Sequence, residues 1–474
     1  MSRDVLRWPV IGALLRWRHA RTTLQLVLLL TAGIVVLHGF LGPQVAPNNL
    51  STVLSWVHYR GLLVVALLAA GNLFCMGCPM VLVRDAGRRV HSPSLRWPRV
   101  LRTKWIALFL FVAVLFAYEL FDLWALPRAT AWLVLAYFAG ALAIDLTFAG
   151  ATFCKYLCPV GQFNFAASTV SPLELRVREE STCRSCRTVD CIKGRRETAT
   201  SPPQRGCELN LFLPLKVGNM DCTFCLDCVQ ACPHDNIALT TRVPGAELLD
   251  LRRRSGIGRL AERPDIAALA VLFVFGGMLN AFGMVAPIYA VNRWLSGVMG
   301  GASGAPVLAF VFVVALGVVP FVLLGGAAVL TRLAAADTGG SIARTAASYS
   351  FGLIPFGFGV WLAHYGFHLL TGALTVVPIV QSAAIDVMGR AVLGAPRWQW
   401  AGLRPGSVFP IQLGLIVLGM FGSIALAYRI SERDYPARPA LPAAPWVTVT
   451  LALTTAAIWI LSQPMEMRGM GFSG

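Results

Sequence analysis

The sequence predicts an all-α polytopic membrane protein of about nine transmembrane helices, interrupted by one small α+β cytoplasmic insert. Of its 474 residues 56% are hydrophobic and 13% charged, about half the charged share of a soluble chain. Apolar runs long enough to cross the hydrocarbon core, roughly 20 residues each, recur along the chain. The 12 cysteines, too few for a disulfide scaffold at this length, all fall between Cys75 and Cys232. Such clustering points to metal rather than to disulfides.

The spans are expected near 23–41, 54–74, 104–124, 130–150, 265–289, 305–330, 346–376, 408–428 and 446–463, the seventh tilting or breaking at Pro355. Arg3, Arg7, Arg16, Arg18 and Arg21 precede the first run, and no small-residue cleavage site follows, which reads as an uncleaved signal anchor. Threading the chain from a cytoplasmic N-terminus puts most of the 40 Lys and Arg on the cytoplasmic side and the C-terminus outside, as the positive-inside rule requires. That accounts for the net charge of +17 without nucleic acid; the bilayer of a bacterial inner membrane is the expected partner. Three parts follow: a four-helix membrane part over 1–150, a cytoplasmic segment over 151–264, and a five-helix part without cysteine over 265–474.

The cytoplasmic segment carries the strongest signal. Cys222, Cys225, Cys228 and Cys232-Pro233 match C-x2-C-x2-C-x3-C-P, in which three thiolates hold one [4Fe-4S] cluster and the fourth reaches its neighbour. Cys183, Cys186 and Cys191 precede it in CRSCRTVDC, and Cys207 follows after fifteen intervening residues with Glu208 where proline is usual. Crossover pairing then assigns Cys183, Cys186, Cys191 and Cys232 to one cluster, and Cys222, Cys225, Cys228 and Cys207 to the other, in a ferredoxin-like domain over about 175–245. Zinc on the irregular half is the competing reading, since four thiolates also suit a tetrahedral ion.

Two further pairs sit at span ends, Cys75 and Cys78 in NLFCMGCPM and Cys154 and Cys158 in ATFCKYLCPVGQF. Proline after each pair ends one helix and turns the thiols outward. If the two spans are neighbours, four thiolates converge on a third cluster or another soft-metal site; each pair alone suits redox chemistry or burial.

Paired cysteines ending in C-P on membrane helices, followed by a two-cluster segment, resemble the NapH/NosR/CcoG family of polyferredoxin-like membrane proteins. The likeness covers residues 23 to about 240, and the second pair, C-x3-C-P, matches most closely; the first has two intervening residues instead of three. It implies electron transfer between the quinone pool, or a cytoplasmic donor, and a partner redox complex, with a quinol dehydrogenase activity. Within that family, the CcoG-like members imply instead a metal reductase, for copper, that matures a respiratory enzyme. A redox-driven ion-pump subunit is a third reading. Quinone exchange is expected near the cysteine pairs, in either direction.

Ionisable groups inside spans complete the candidates. Asp145 is a candidate proton acceptor for quinol and Glu119 a weaker one. His364 and His368, four apart on one helix face, suit a metal site, a proton path or hydrogen-bonded packing; a haem b would need another histidine such as His38 or His58. The loop over 377–407 contains an amphipathic stretch suited to lying in the membrane interface.

Overall fold

The computed structural model describes residues 4–197, 202–302 and 304–465. Among them, eight helices are long and apolar enough to cross a membrane: Ala20–Leu41, Leu50–Ala70, Pro127–Thr147, Pro264–Phe282, Ala305–Ala334, Ile342–Thr371, Pro405–Asp434 and Ala440–Ser462. The protein is thus predominantly helical and polytopic.

The expected span over 104–124 is shorter than predicted. It forms Trp105–Leu120, 16 residues, or about 24 Å at 1.5 Å per residue, against a core of about 30 Å. The chain turns at Asp122, whose φ is +45°, and the Leu123 N–H bonds to the Tyr118 carbonyl. Likewise the run from 265 stops at Phe282, and Pro287 opens a separate helix, Pro287–Val298. In the Ile342–Thr371 stretch the irregularity is a tight turn at Phe351–Leu353, just before Pro355. Proline lacks an N–H and so is accommodated in the first helical turn that follows. The amphipathic stretch of the 377–407 loop forms the helix Val376–Met388.

The chain divides into two compact units, and the division is not linear in sequence. The first comprises Met1–Leu30, Ala66–Leu110 and Tyr137–Leu269, the second Thr31–Val65, Phe111–Ala136 and Ala270–Gly474. All 12 cysteines belong to the first.

In the first unit, strand β1 (Leu173–Val177) pairs antiparallel with β2 (Ile237–Thr241), Leu173 opposite Thr241 and Val177 opposite Ile237. Leu175 and Leu239 face each other in that register and are fully buried. The chain start is tied to this sheet through Asp4, which accepts the Leu239 N–H at 3.2 Å and pairs with Arg178 at 2.8 Å. Buried Glu247 accepts the N–H groups of Asn219 and Met220 and pairs with Arg242. Those bonds fix the loop that leads into Cys222.

The second unit is built on close helix contacts at small residues. Against the Pro405–Asp434 helix, a Cβ at Gly359 would lie 2.7 Å from the Leu415 carbonyl oxygen, and one at Gly419 2.7 Å from that of Pro355. Ser423 of the same helix accepts the Phe356 N–H at 2.9 Å, satisfying a donor that a helix start leaves over. Trp361 donates to the Phe273 carbonyl at 2.7 Å.

Candidate metal centres

By mutual electrostatic influence the 12 thiols fall into three sets of four, each drawn from separate sequence segments. All 12 cysteines are unpaired by disulfides.

The first set comes from both span-end pairs. Cys78 is the N-cap of the helix Pro79–Val90 and Cys158 that of Pro159–Ala167, each with proline in the first turn. The free N–H groups at the two helix starts converge on the sulfurs: Met80 and Val81 on Cys78, Val160 and Gly161 on Cys158, the last at 3.1 Å. A helix N-terminus favours a thiolate there, and the two motifs reach this geometry despite their different spacing. Asn164 donates to Cys75 at 3.2 Å, and Tyr137 lies 3.2 Å from Cys158. The four thiols are close enough that charge on Cys78 and Cys158 is felt at Cys75, and charge on Cys158 and Cys78 at Cys154. Burial pushes all four thiols up, Cys78 to about 12. A cation would be needed to hold them as thiolates together.

The second set brings Cys183, Cys186 and Cys191 to Cys232. Cys191 is pushed up to about 11 by burial and then by Cys232, Cys183 and Cys186. Between Cys186 and Cys191, Val189 takes a left-handed φ of +54°, which aims its N–H at the Cys186 sulfur. Asn236 donates twice, its backbone N–H to Cys232 at 3.4 Å and its amide to Cys183 at 3.3 Å.

The third set brings Cys207 to Cys222, Cys225 and Cys228, all except Cys207 buried. Burial and then the charges of Cys225, Cys207 and Cys222 raise Cys228. Phe224 and Leu226, on either side of Cys225, have φ of +53° and +61°. Such backbone costs of order 1–3 kcal/mol per residue and recurs where N–H groups line an anionic concavity. The Leu211 N–H reaches Cys207 at 3.3 Å, and the Cys207 N–H bonds to the Cys191 carbonyl at 2.8 Å, joining the second and third sets. Neighbouring thiols and inward N–H groups in both sets, with burial in the set of Cys222, Cys225 and Cys228, fit the donor set an anionic iron-sulfur cluster would need.

A chain of buried ion pairs links the surroundings of the sets. Asp145 accepts the Phe153 N–H at 2.8 Å and lies 3.7 Å from Arg84, which lies 2.5 Å from Glu208. Glu208 in turn meets Arg21 at 2.7 Å, and Arg21 meets Asp227 at 2.6 Å. Burial opposes ionisation of Glu208, but Arg84 and then Arg21 overcome it and hold its carboxyl at about 2. Glu208, Cys225 and Asp227 bring ligand atoms within 4.8 Å of one another; Arg21 bridges both carboxylates, so this group is an ion-pair node rather than a cation site. Arg21, Arg84 and this role of Glu208 were not among the sequence-derived candidates. The Glu in place of proline after Cys207 was the one visible signal.

No known family model, curated protein or solved structure matches this chain.

The remaining candidates belong to the second unit. The rings of His364 and His368 lie 5.0 Å apart at 87°, and Glu119 lines a pocket with His368. His38 accepts the Leu50 N–H at 3.2 Å, and the ring nitrogens of His58 lie 3.2 and 3.3 Å from the carbonyls of Val53 and Ala373. Those contacts occupy Nδ1 of His38 and give the one N–H of a neutral His58 a carbonyl acceptor on either side of the ring.

Proposed function

We propose that this is a membrane-bound iron-sulfur electron-transfer protein of the polyferredoxin type. Its thiol sets of the cytoplasmic segment would hold two [4Fe-4S] clusters that pass electrons between the quinone pool, or a cytoplasmic donor, and a partner redox complex. What supports this reading is the order of electrostatic influence among the thiols: Cys191 feels Cys232, Cys183 and Cys186 ahead of Cys207, while Cys228 feels Cys225, Cys207 and Cys222. A single zinc site would leave one of these sets without a purpose, whereas adjacent clusters of ferredoxin type use both.

When bound, such clusters supply one-electron carriers whose potentials respond to burial and to hydrogen bonds at sulfur. The residues around the two sets differ in that respect. Cys222, Cys225 and Cys228 are buried, whereas the second set is partly open to solvent. Asn236, Leu211, Val189 and Phe224 donate to the sulfurs, stabilising the anionic form. Arg21 places positive charge beside Cys225 of the buried set, and Arg84 beside Cys154 of the span-end set.

The span-end set suggests a second reading, copper reduction or insertion, because buried neighbouring thiols suit a soft cation, which would have to draw their sulfurs together. A ferredoxin-like pair of clusters would serve that activity equally, and the span-end thiols would then bind the cargo metal.

Iron and acid-labile sulfide per chain on anaerobically purified protein test the proposal. About 8 iron supports two clusters, and about 12 adds a third on Cys75, Cys78, Cys154 and Cys158. Little or no iron overturns it. Copper bound by the Cys154→Ser, Cys158→Ser double variant as well as by the parent would remove the second reading.

A further inference from the structure

Within the second unit, a pocket with about 200 Å³ of free space opens where the helices Trp105–Leu120 and Pro264–Phe282 end, beside the helix Pro287–Val298. One water needs only about 10–15 Å³. The polar lining is Glu119, Asn280, Asn292 and Ser296, and no Lys, Arg or His stands among the described lining residues. Glu119 also borders a smaller pocket with about 50 Å³ free, but that one is lined by a cation of the protein's own, Arg60.

Three features give the larger space a chemical character. The first is orphaned acceptors: Asn280, 3% exposed, and the half-buried Asn292 each have a buried Oδ1 with no hydrogen-bond partner among the described residues. A buried acceptor left so costs free energy that a donor entering the pocket would recover. The second is the seat of Glu119. A Cβ at Gly283 would lie 3.0 Å from its Oε1, so glycine at that position admits the carboxylate, and Asn280 stands in the helical turn just before it. Asn292 and Ser296 share one face of the helix Pro287–Val298, since residues four apart are neighbours on a helix. The third is the rest of the lining, which is apolar. Leu279, Val307, Val311 and Phe312 belong to one buried hydrophobic cluster and border the pocket.

We propose that this pocket binds a primary ammonium group carried on an apolar stem. A primary ammonium has one positive charge and three N–H donors. Glu119 supplies a carboxylate, and the Oδ1 atoms of Asn280 and Asn292 supply two further acceptors, so three donors meet three oxygen-bearing side chains. A quaternary ammonium offers no donor and is held instead by a cage of aromatic rings, whereas Phe312 is the one aromatic among the described lining residues. A bare metal ion would satisfy the oxygens but gain nothing from the apolar walls. The ethanolamine head-group of a membrane phospholipid and a free alkylamine share the required chemistry. The site stands apart from the electron-transfer reading, since its residues lie in the cysteine-free unit.

The test uses the full chain in an uncharged detergent, titrated with n-octylamine or with octyltrimethylammonium and followed by its thermal unfolding midpoint. A saturable rise with n-octylamine is expected at a concentration about tenfold below that needed for the quaternary ion, as loss of hydrogen bonds to a charged group implies. Asn280→Leu should weaken the amine about tenfold while leaving the ligand-free midpoint unchanged or higher, because it removes a buried acceptor and nearly keeps the volume. If Asn280→Leu does not fold, Asn292→Leu, at a half-buried position, carries the same expectation for the amine. Native mass spectrometry with added phosphatidylethanolamine and phosphatidylcholine separates the sources: preferential retention of the former assigns a lipid, and octylamine binding without that preference assigns a free amine, both in support. Equal effects of the two octyl cations, a rise that sodium chloride reproduces at the same concentration, or unchanged affinity in the folded variants overturns the site.

Discussion

Arg84 and Glu208 meet at 2.5 Å in the first unit, their side chains 6% and 7% exposed, and each has a second partner of opposite charge in Asp145 and Arg21. Neither half of such a pair tolerates being left alone. Replacing Arg84 by Met strands Glu208 with a single cation, and breaking a buried pair this way costs on the order of 3–5 kcal/mol. The expected result is a lower thermal unfolding midpoint and loss of iron first from the set containing Cys207, read by differential scanning fluorimetry and metal analysis on one preparation.

The same carboxylate sets an acid limit. Glu208 is held at about 2 against an ordinary value of 4.5, so the stabilisation from its charge is complete above pH 4.5 and is lost as pH falls toward 2. Glu247, also lowered despite its burial by Arg242 and Arg254, adds a loss in the same direction. Stability followed by tryptophan fluorescence should fall below pH 4.5, and Glu208→Gln should flatten that limb while lowering stability near neutrality. An unchanged acid limb in the variant would remove Glu208 from this account.

How far the sequence carried this architecture depends on the range of each signal. Long apolar runs are local, and eight of the nine expected spans form helices of crossing length. The span expected over 104–124 stops at Leu120, the chain turning at Asp122, a single left-handed residue that no hydropathy average registers. Proline after Cys78 and Cys158 is also local, and it marks the two helix starts whose N–H groups meet the sulfurs. By contrast, Arg21 finds Glu208 across 187 positions, and a charge within a basic run looks like any other until the fold brings its partner. Arg60 was hidden for a related reason. Its guanidinium packs on the rings of Tyr118 and Tyr365 from other segments, which periodicity within one span cannot reveal.

Crossover between the second and third thiol sets makes single cysteine substitutions diagnostic. Cys232→Ser removes a member of the set grouped with Cys183, Cys186 and Cys191, although Cys232 follows Cys228 by only four positions in sequence. On the proposed function, about 4 of the about 8 iron of two clusters should be lost, and the electron paramagnetic resonance spectrum of the remainder should match that of Cys183→Ser, not that of Cys228→Ser. Cys207→Ser should give the complementary spectrum. Matching spectra for Cys232→Ser and Cys228→Ser would mean that both cysteines serve one site, and the crossover would fall.

Helix contact in the second unit yields a paired test on the Pro405–Asp434 helix. A Cβ at Gly419 would lie 2.7 Å from the Pro355 carbonyl oxygen and 3.1 Å from the Phe356 Cα; both are backbone atoms, which cannot swing aside as a side-chain end can. Gly419→Ala should therefore push the two helices apart and cost about 1–3 kcal/mol, the usual range for overpacking. Gly414, five residues earlier, has nothing within 4 Å of such a Cβ, so Gly414→Ala should be neutral or gain up to about 1 kcal/mol from helix propensity. Thermal midpoints of the two variants in one detergent decide it. Equal shifts would show that loss of glycine flexibility dominates and that the Gly419 contact is not what holds these helices together.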